Sequence, residues 1–600
     1  MTSFKFLCVS LLVFSGLSAG QTLQRISLDS NNPSALRAQL EQAGFDVLEG
    51  NPQVEVVVTR AERAALVSMG LHPVWIENGR ALSGILAGQG LEDGVPGGYK
   101  DLAQINAHLA QTAMDHPTIC QVVDLSATFG APLTAEGRSL IALKISDNVA
   151  LEEDEPALLI ASAHHCRELV TPVIALAAID HLTDGYGTLP SVTQAVDDHA
   201  IWILPICNPD GYEYVFNSNN LWRKNRRVFS SGVGVDLNRN YPQGWTNNCS
   251  GSSSAGSNTY KGPSEASEAE TQAIIALSEA VRFAKVIDFH SSGREVLWGY
   301  ACPTHPFDTY MYDEAVAISQ ATGYLGDERR PSADGEHQQW HQGRRGAWSV
   351  LIETATSFQP SYTSAQTEAA QVLAGIDWLL ARSIPVSGHV TGSCTGAPIE
   401  ADISIVGITL PDGEENSSGG AFGRWHANLP PGTYTLRFEA SGHTPQQHQV
   451  TVVAGAATTL DVQLVSNGPE EYCIAAANST GQVGRMNIVG QPSVSANNLT
   501  LQSYQLPPGQ FCLFVYGQTE TITLSYDGFL CFANPIIRHQ LAFTDPSGQA
   551  SIPIDLANPV HPAGLILAGS TWNFQTFYRD TGFGATGANL TLPLRVTFCP

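Results

Sequence analysis

Ala157-Leu158-Leu159-Ile160-Ala161-Ser162-Ala163 runs directly into His164-His165-Cys166-Arg167-Glu168. The first half is a short apolar run, too short for a helix and of the length expected of a strand buried on both faces. The second half sets titratable side chains where that strand ends. Similar apolar runs occur at 140–145, 201–206, 286–289 and 350–352. Amphipathic stretches lie between them, such as 271–281 with Ile274, Leu277 and Val281 on one face. Short buried strands alternating with helices from Tyr99 to about Arg382 predict an α/β domain with a mostly parallel or mixed sheet.

On either side of this domain the pattern changes. Upstream, a helix through Leu36, Leu40 and Phe45, the strand Val54-Glu55-Val56-Val57-Val58 and a second helix from Arg60 to Met69 predict a small α+β unit over residues 21–92. Gly88, Gly90 and Asp93-Gly94-Val95-Pro96-Gly97-Gly98 read as a linker. Such a unit ahead of a larger α/β domain suits an inhibitory prosegment or a plain accessory domain. Downstream of Ile384-Pro385 helices stop and short alternating strands take over, as in Thr433-Tyr434-Thr435-Leu436-Arg437-Phe438. Residues 384–465 read as a β-sandwich and 466–600 as a second all-β module, joined near Asn467-Gly468-Pro469.

Six hundred residues exceed one ordinary core, which fits several domains. The formal charge of −26, from 56 acidic and 30 basic residues, argues against a nucleic-acid or anionic-lipid footprint. Lys5, an apolar stretch from Phe6 to Phe14 and the small residues Ser18-Ala19-Gly20 have the layout of a secretory leader over residues 1–20. No later run of about 20 apolar residues predicts a membrane span. Export would let the ten cysteines beyond Cys8 oxidise, and their irregular spacing shows no redox or zinc-knuckle pair. Cys166 and Cys207 follow two strands that are candidate neighbours, which puts a disulfide between them within reach.

A neutral imidazole and a carboxylate three residues apart, as in His165 and Glu168, can hold one zinc once a distant third ligand joins. Alone, the pattern recurs by chance, and a solvated or hydrogen-bonded pair explains it better than a metal site does. Position strengthens it, because ligands in open α/β sheets sit at the carboxyl ends of strands. His165 follows one strand, Asn208-Pro209-Asp210-Gly211 another, His290 ends a third and Glu353 a fourth. Strand alternation turns His164 away from the ligand, which makes it structural. Glu265, Glu268 and Glu270 suit a helix N-terminus.

Five segments in this order resemble the zinc carboxypeptidases of the A and B type. They are His165-Cys166-Arg167-Glu168, Leu221-Trp222-Arg223-Lys224, Gly234-Val235-Asp236-Leu237-Asn238-Arg239-Asn240, Asp288-Phe289-His290-Ser291, and Trp340 thirteen residues before Glu353. The resemblance covers Tyr99 to about residue 380 and implies a catalytic domain, taken here as residues 93–383, with a mixed eight-stranded sheet flanked by helices, followed by two all-β modules. It implies one zinc ion on His165, Glu168 and His290, with Asp236 orienting His165. Glu353 would be the general base toward the zinc-bound water, and Arg223 would stabilise the oxyanion. Asn238 and Arg239 would grip the terminal carboxylate of a peptide or protein C-terminus, where a guanidinium fork suits two oxygens. Arg167 would touch the substrate backbone or form a structural salt bridge.

Two positions depart from the family. Its mobile-loop tyrosine is replaced by Arg329-Arg330-Pro331-Ser332-Ala333, with Tyr324 the nearest candidate. The residue that sets specificity in the family corresponds to Gln338, and an amide offers neither an apolar wall nor a charge. The 384–465 sandwich resembles the transthyretin-like module of some members. The last module, with the aromatic strand Trp572-Asn573-Phe574-Gln575-Thr576-Phe577-Tyr578, suits a packed core or a glycan or cell-surface contact. The whole reads as a secreted zinc carboxypeptidase. Its alternatives are a zinc-dependent cell-wall peptide amidase or endopeptidase, and a non-catalytic binding protein on the same scaffold.

Overall fold

Eight strands build the sheet that carries the site: β1 (Cys120–Asp124), β2 (Ile141–Ile145), β3 (Ala157–Ser162), β4 (Ala200–Leu204), β5 (Lys285–Ser291), β6 (Glu295–Leu297), β7 (Glu328–Arg329) and β8 (Trp348–Thr354). Their order is β7-β6-β8-β5-β3-β4-β2-β1. The central strands β8, β5, β3 and β4 run parallel. At the edges β2 is antiparallel to β4, β1 to β2, and β6 to β8. The computed structural model describes residues 23–48, 53–87, 91–92, 95–96, 98–324 and 328–600. Residues 1–20, read above as a leader, and Gly88, Gly90, Asp93, Gly94 and Gly97, read as linker, lie outside them.

Both faces of the sheet are covered, which is why its strands read as continuous apolar runs rather than alternating ones. Leu158 and Ile160 of β3 pack with Ile174 of helix Val170–Gly185 and Ile376 of helix Tyr362–Ala381. Leu159 and Ala161, pointing the other way, pack with Ile274 and Leu277 of helix Ala269–Val281 and with Trp340. Glu268 occupies the N-cap position of that helix without a side-chain capping bond, and Glu270 lies in its first turn, where a carboxylate suits the helix dipole. Both also accept from the Asn225 amide, at 2.8 and 3.1 Å.

Residues ahead of this domain form a four-stranded antiparallel sheet in the order Asp46–Leu48, Val54–Val58, Gln24–Leu28, Val74–Asn78, with helices Pro33–Gln42 and Arg60–Ser68. Val54, Val56 and Val58 face the unit's own core, while Val57 and Leu48 join the core of the eight-stranded sheet. A strand buried on both faces welds the unit to its neighbour.

After helix Tyr362–Ala381 come the all-β parts. Two four-stranded sheets between Val386 and Leu464 enclose Trp425, Leu436 and Phe438. Beyond them, a six-stranded and a three-stranded sheet enclose Phe514, Trp572, Phe574 and Phe598. Trp572, Phe574 and Tyr578 of the aromatic strand are buried in that core, so they offer no glycan platform. Disulfides join Cys249 to Cys302, Cys394 to Cys599 and Cys473 to Cys531. The pairing of Cys166 with Cys207 does not occur: both thiols are free and buried, and Cys166 donates to the Trp222 carbonyl at 3.0 Å. No helix among the described residues is long and apolar enough to cross a membrane.

Candidate active site at the carboxyl edge of the sheet

Parallel β5 and β8 are paired so that His290 lies beside Glu353, and β3 ends on the other side of β5 with Phe289 beside Ser162. The chain leaves β3 and β8 through Ala163 and Ala355, both left-handed at φ 54°. That conformation is uncommon for a residue with a Cβ and is held in place by its surroundings. Here the Ala163 amide bonds the Thr171 hydroxyl at 3.1 Å and the Ala355 amide bonds Glu368 at 2.9 Å. These turns place His165, Glu168, His290 and Glu353 around one cleft of about 650 Å³.

His165 Nδ1 lies 2.8 Å from Glu168, His290 Nδ1 lies 3.1 Å from the same carboxylate, and the two Nδ1 atoms are 3.0 Å apart. Each ring turns its other nitrogen to a different carboxylate: His165 Nε2 to Asp236 at 3.0 Å, His290 Nε2 to Asp288 at 3.1 Å. Those partners assign the protons to Nε2 and leave two Nδ1 lone pairs aimed at each other and at Glu168. Three buried acceptors without a shared proton fit a cation, and two imidazoles with one carboxylate are the donor set that zinc takes at catalytic sites.

A second convergence, His164, Asp288 and His337, lies behind the first. Its members are fully buried, and none of them lines the cleft. His164 donates through Nδ1 to Asp288 at 2.9 Å and turns Nε2 to the Tyr241 hydroxyl at 2.9 Å, a structural role facing away from the cleft. Asp288 thus ties His290 to His164, and burial of its charge is outweighed by the surrounding imidazoles, which hold its carboxyl well below the usual range.

Glu353 is half-buried, with its Oε2 atom buried and free of any hydrogen bond. Burial first, and then the charge of Glu168, push its carboxyl up to about 8, while His290 and Arg329 pull it down. Arg223 donates through Nε and Nη2 to Asp236, both at 2.9 Å. Burial works against ionising Asp236, but Arg223 and His165 outweigh it and keep it a carboxylate. One buried anion therefore orients both a candidate metal ligand and a cation at the cleft wall.

Residues 105–388 match the family model described as zinc carboxypeptidase. This chain contains a zinc carboxypeptidase domain. Residues 385–465 match the carboxypeptidase regulatory-like domain, the segment read from sequence as a transthyretin-like sandwich. The chain is 34% identical over 224 residues to carboxypeptidase A2 of Rattus norvegicus, covering 36% of this chain and 50% of the rat protein. It is 39% identical over 150 residues to a zinc carboxypeptidase of Saccharothrix mutabilis subsp. capreolus, covering 25% of this chain and 33% of that protein. The chain thus spans a third to a half of the length of these curated relatives. The solved carboxypeptidase A of Helicoverpa armigera superposes with a TM-score of 0.49 at 22% identity, over 59% of this chain and 96% of that one.

In the carboxypeptidase domain Asn238 and Arg239 also line the cleft. Asn238 Nδ2 lies 3.3 Å from His290 Nε2, and its Oδ1 accepts from the His337 amide at 2.8 Å. Arg239 donates to its neighbour's carbonyl at 2.6 Å and to Glu336 at 2.8 Å. Arg167 forms two short bonds, 2.7 and 2.6 Å, to the two oxygens of Asp46 in the N-terminal unit, and stacks on Phe358 at 4.3 Å. In this structure its guanidinium therefore makes an ion pair between units.

Gln338 does not line the cleft; it is buried, with its amide donating to Glu336 at 2.5 Å. Tyr324 is likewise remote from the cleft, buried with its hydroxyl on Glu368. Arg329, from the stretch that replaces the family's tyrosine, does reach the cleft and bonds Glu295 at 2.5 Å. Sequence reasoning missed Asp46, Asp288 and Glu336. Only Asp288 left a signal: two residues before His290 on a strand, it shares that residue's face.

Proposed function

We propose that the chain is a secreted zinc-dependent carboxypeptidase, held inactive by its N-terminal unit until Asp46 leaves the cleft. The observation that carries the enzymatic reading is the grouping of His165, Glu168, His290, Glu353 and Arg239 around one cleft. Zinc on His165, Glu168 and His290 would polarise the scissile carbonyl and acidify a water. Glu353, its Oε2 unengaged, takes the proton of the attacking water and delivers it to the leaving amine. Arg223, fixed by Asp236, presents its remaining donor to the developing oxyanion. Arg239, with Asn238 beside it, takes the terminal carboxylate, which selects the last peptide bond over internal ones.

Two observations support the inhibitory part. Residues 41–48 help line the cleft, and Asp46 pairs bidentately with Arg167. Three disulfides among the described residues suit an oxidising compartment, which supports secretion.

Metal analysis of the full chain carrying Asp46→Ala, which frees the cleft, beside its hydrolysis of N-blocked dipeptides tests the reading. Stoichiometric zinc and release of the terminal residue are expected, with kcat reduced on the order of 10²–10⁴-fold in Glu353→Gln at unchanged zinc content. Zinc without turnover would leave a binding protein on this scaffold. Turnover that survives amidation of the substrate's C-terminus would point to an amidase or endopeptidase.

A further inference from the structure

Glu336 is held opposite Arg239 by the backbone on both sides of it. The Gly335 carbonyl accepts from the Tyr241 amide at 3.1 Å, and the His337 amide donates to Asn238 Oδ1 at 2.8 Å. Gly335 adopts φ +90°, and a Cβ there would come within 2.9 Å of the Arg239 carbonyl oxygen, so only glycine allows this approach without strain. The result is a buried carboxylate on the cleft wall next to the residue that grips the substrate's carboxylate. Its Oε1 accepts from Arg239 at 2.8 Å and its Oε2 from Gln338 at 2.5 Å. Gln338 Oε1 is buried without a partner.

This corner therefore holds more acceptors than donors, and its one cation has a second employment. When Arg239 turns to a substrate carboxylate, Glu336 loses its counter-charge in a buried place, a loss that is strongly unfavourable unless another cation arrives. A terminal lysine or arginine brings both groups at once: its carboxylate goes to Arg239 and its side-chain cation to Glu336, so the original ion pair is exchanged for two. A terminal leucine or phenylalanine brings only the carboxylate. A terminal glutamate adds a further anion.

We propose that Glu336 is the specificity-determining residue and that it selects peptides ending in lysine or arginine. This rests on the carboxypeptidase reading above. Burial raises the Glu336 carboxyl above its usual value and Arg239 works against that, a compensation the substrate's cation would take over.

The test is kcat/KM of the zinc-loaded full chain carrying Asp46→Ala, which opens the cleft, on matched peptides ending in Lys, Arg, Leu, Phe or Glu. The basic peptides are expected to be preferred. Glu336→Gln should lower the Lys-to-Leu ratio on the order of 10²-fold, and Glu336→Asp should restore part of it. Thermal melts of both variants check folding. Cleavage with the same ratio in all three proteins overturns the assignment of Glu336 alone. Failure to cleave any peptide, with zinc bound, overturns the carboxypeptidase reading itself.

Discussion

His165 and His290 each turn one nitrogen into the cleft and hand the other to a buried carboxylate, Asp236 and Asp288 respectively. The carboxylate fixes the tautomer and raises the basicity of the ring, so metal affinity depends on it although it touches no metal. Asp236 has Arg223 as counter-charge. Asp288 has imidazoles, and its second oxygen accepts from His164. Replacing Asp288 by asparagine keeps the shape but offers an N–H where His290 needs an acceptor. Asp288→Asn is therefore expected to weaken zinc binding about 10- to 100-fold in chelator competition. Parental zinc affinity in a variant with unchanged circular dichroism would remove Asp288 from that role.

Among the elements, the short strand Asp46–Leu48 matters most, because it inserts the cleft's only N-terminal ion-pair partner for Arg167 seen among the described residues. Asn258 adds a bond to the same Asp46 carboxylate at 3.2 Å, and the Gly44 carbonyl accepts from Ser257 and Thr259, both at 3.1 Å. Removing one partner of a buried pair leaves the other charge unpaired, at a cost of about 3–5 kcal/mol. Asp46→Ala should accordingly shift the closed unit toward opening by on the order of 10²-fold, read as activity of the uncleaved chain. Unchanged activity would show that the clamp does not hold the cleft shut. The pH sign follows from the same pair. Burial opposes the Asp46 charge, but Arg167 and then Arg223 outweigh it and lower its pKa from 3.8. The clamp is thus complete above about 4, weakens as pH falls below that free value, and is lost as pH passes through the lowered value of the docked state. Assayed across pH, the activity of the parent relative to that of Asp46→Ala should therefore rise as pH falls below about 4. The positions of β3, β5 and β8 were legible because strands buried on both faces leave apolar runs with polar residues at their ends. The clamp was not, because Asp46 and Arg167 are 121 residues apart and nothing local marks either as the other's partner. Gln338 misled for a similar reason: the helix His337–Arg345 starts one residue after Glu336, and the turn at Gly335 brings Glu336 rather than Gln338 to the wall.

At the scale of the molecule, the parts differ in how they are held. The α/β domain grips the first β-sandwich through partly buried polar contacts: Tyr300 donates to Glu414 at 2.5 Å, and Arg282 and Arg345 reach Ser417. The last module follows the Asn467-Gly468-Pro469 join, and a covalent bridge ties it back. Cys394 in the first sandwich pairs with Cys599, 205 residues later, while the Cys599 backbone is anchored to Pro492 and Val494 at 2.8 and 2.9 Å. Closing so long a loop removes much freedom from the unfolded chain, and a bridge of this kind contributes about 2–4 kcal/mol. The bridge joins the two β parts and touches no residue of the cleft, so stability and activity should separate. The double variant Cys394→Ser/Cys599→Ser is expected to lower the unfolding midpoint of the C-terminal β module on the order of 10 °C in calorimetry. Its kcat/KM on a short peptide should match the parent's. An unchanged midpoint would show that non-covalent contacts alone hold the last module, and a fall in kcat/KM on short peptides would show that the β modules shape the cleft.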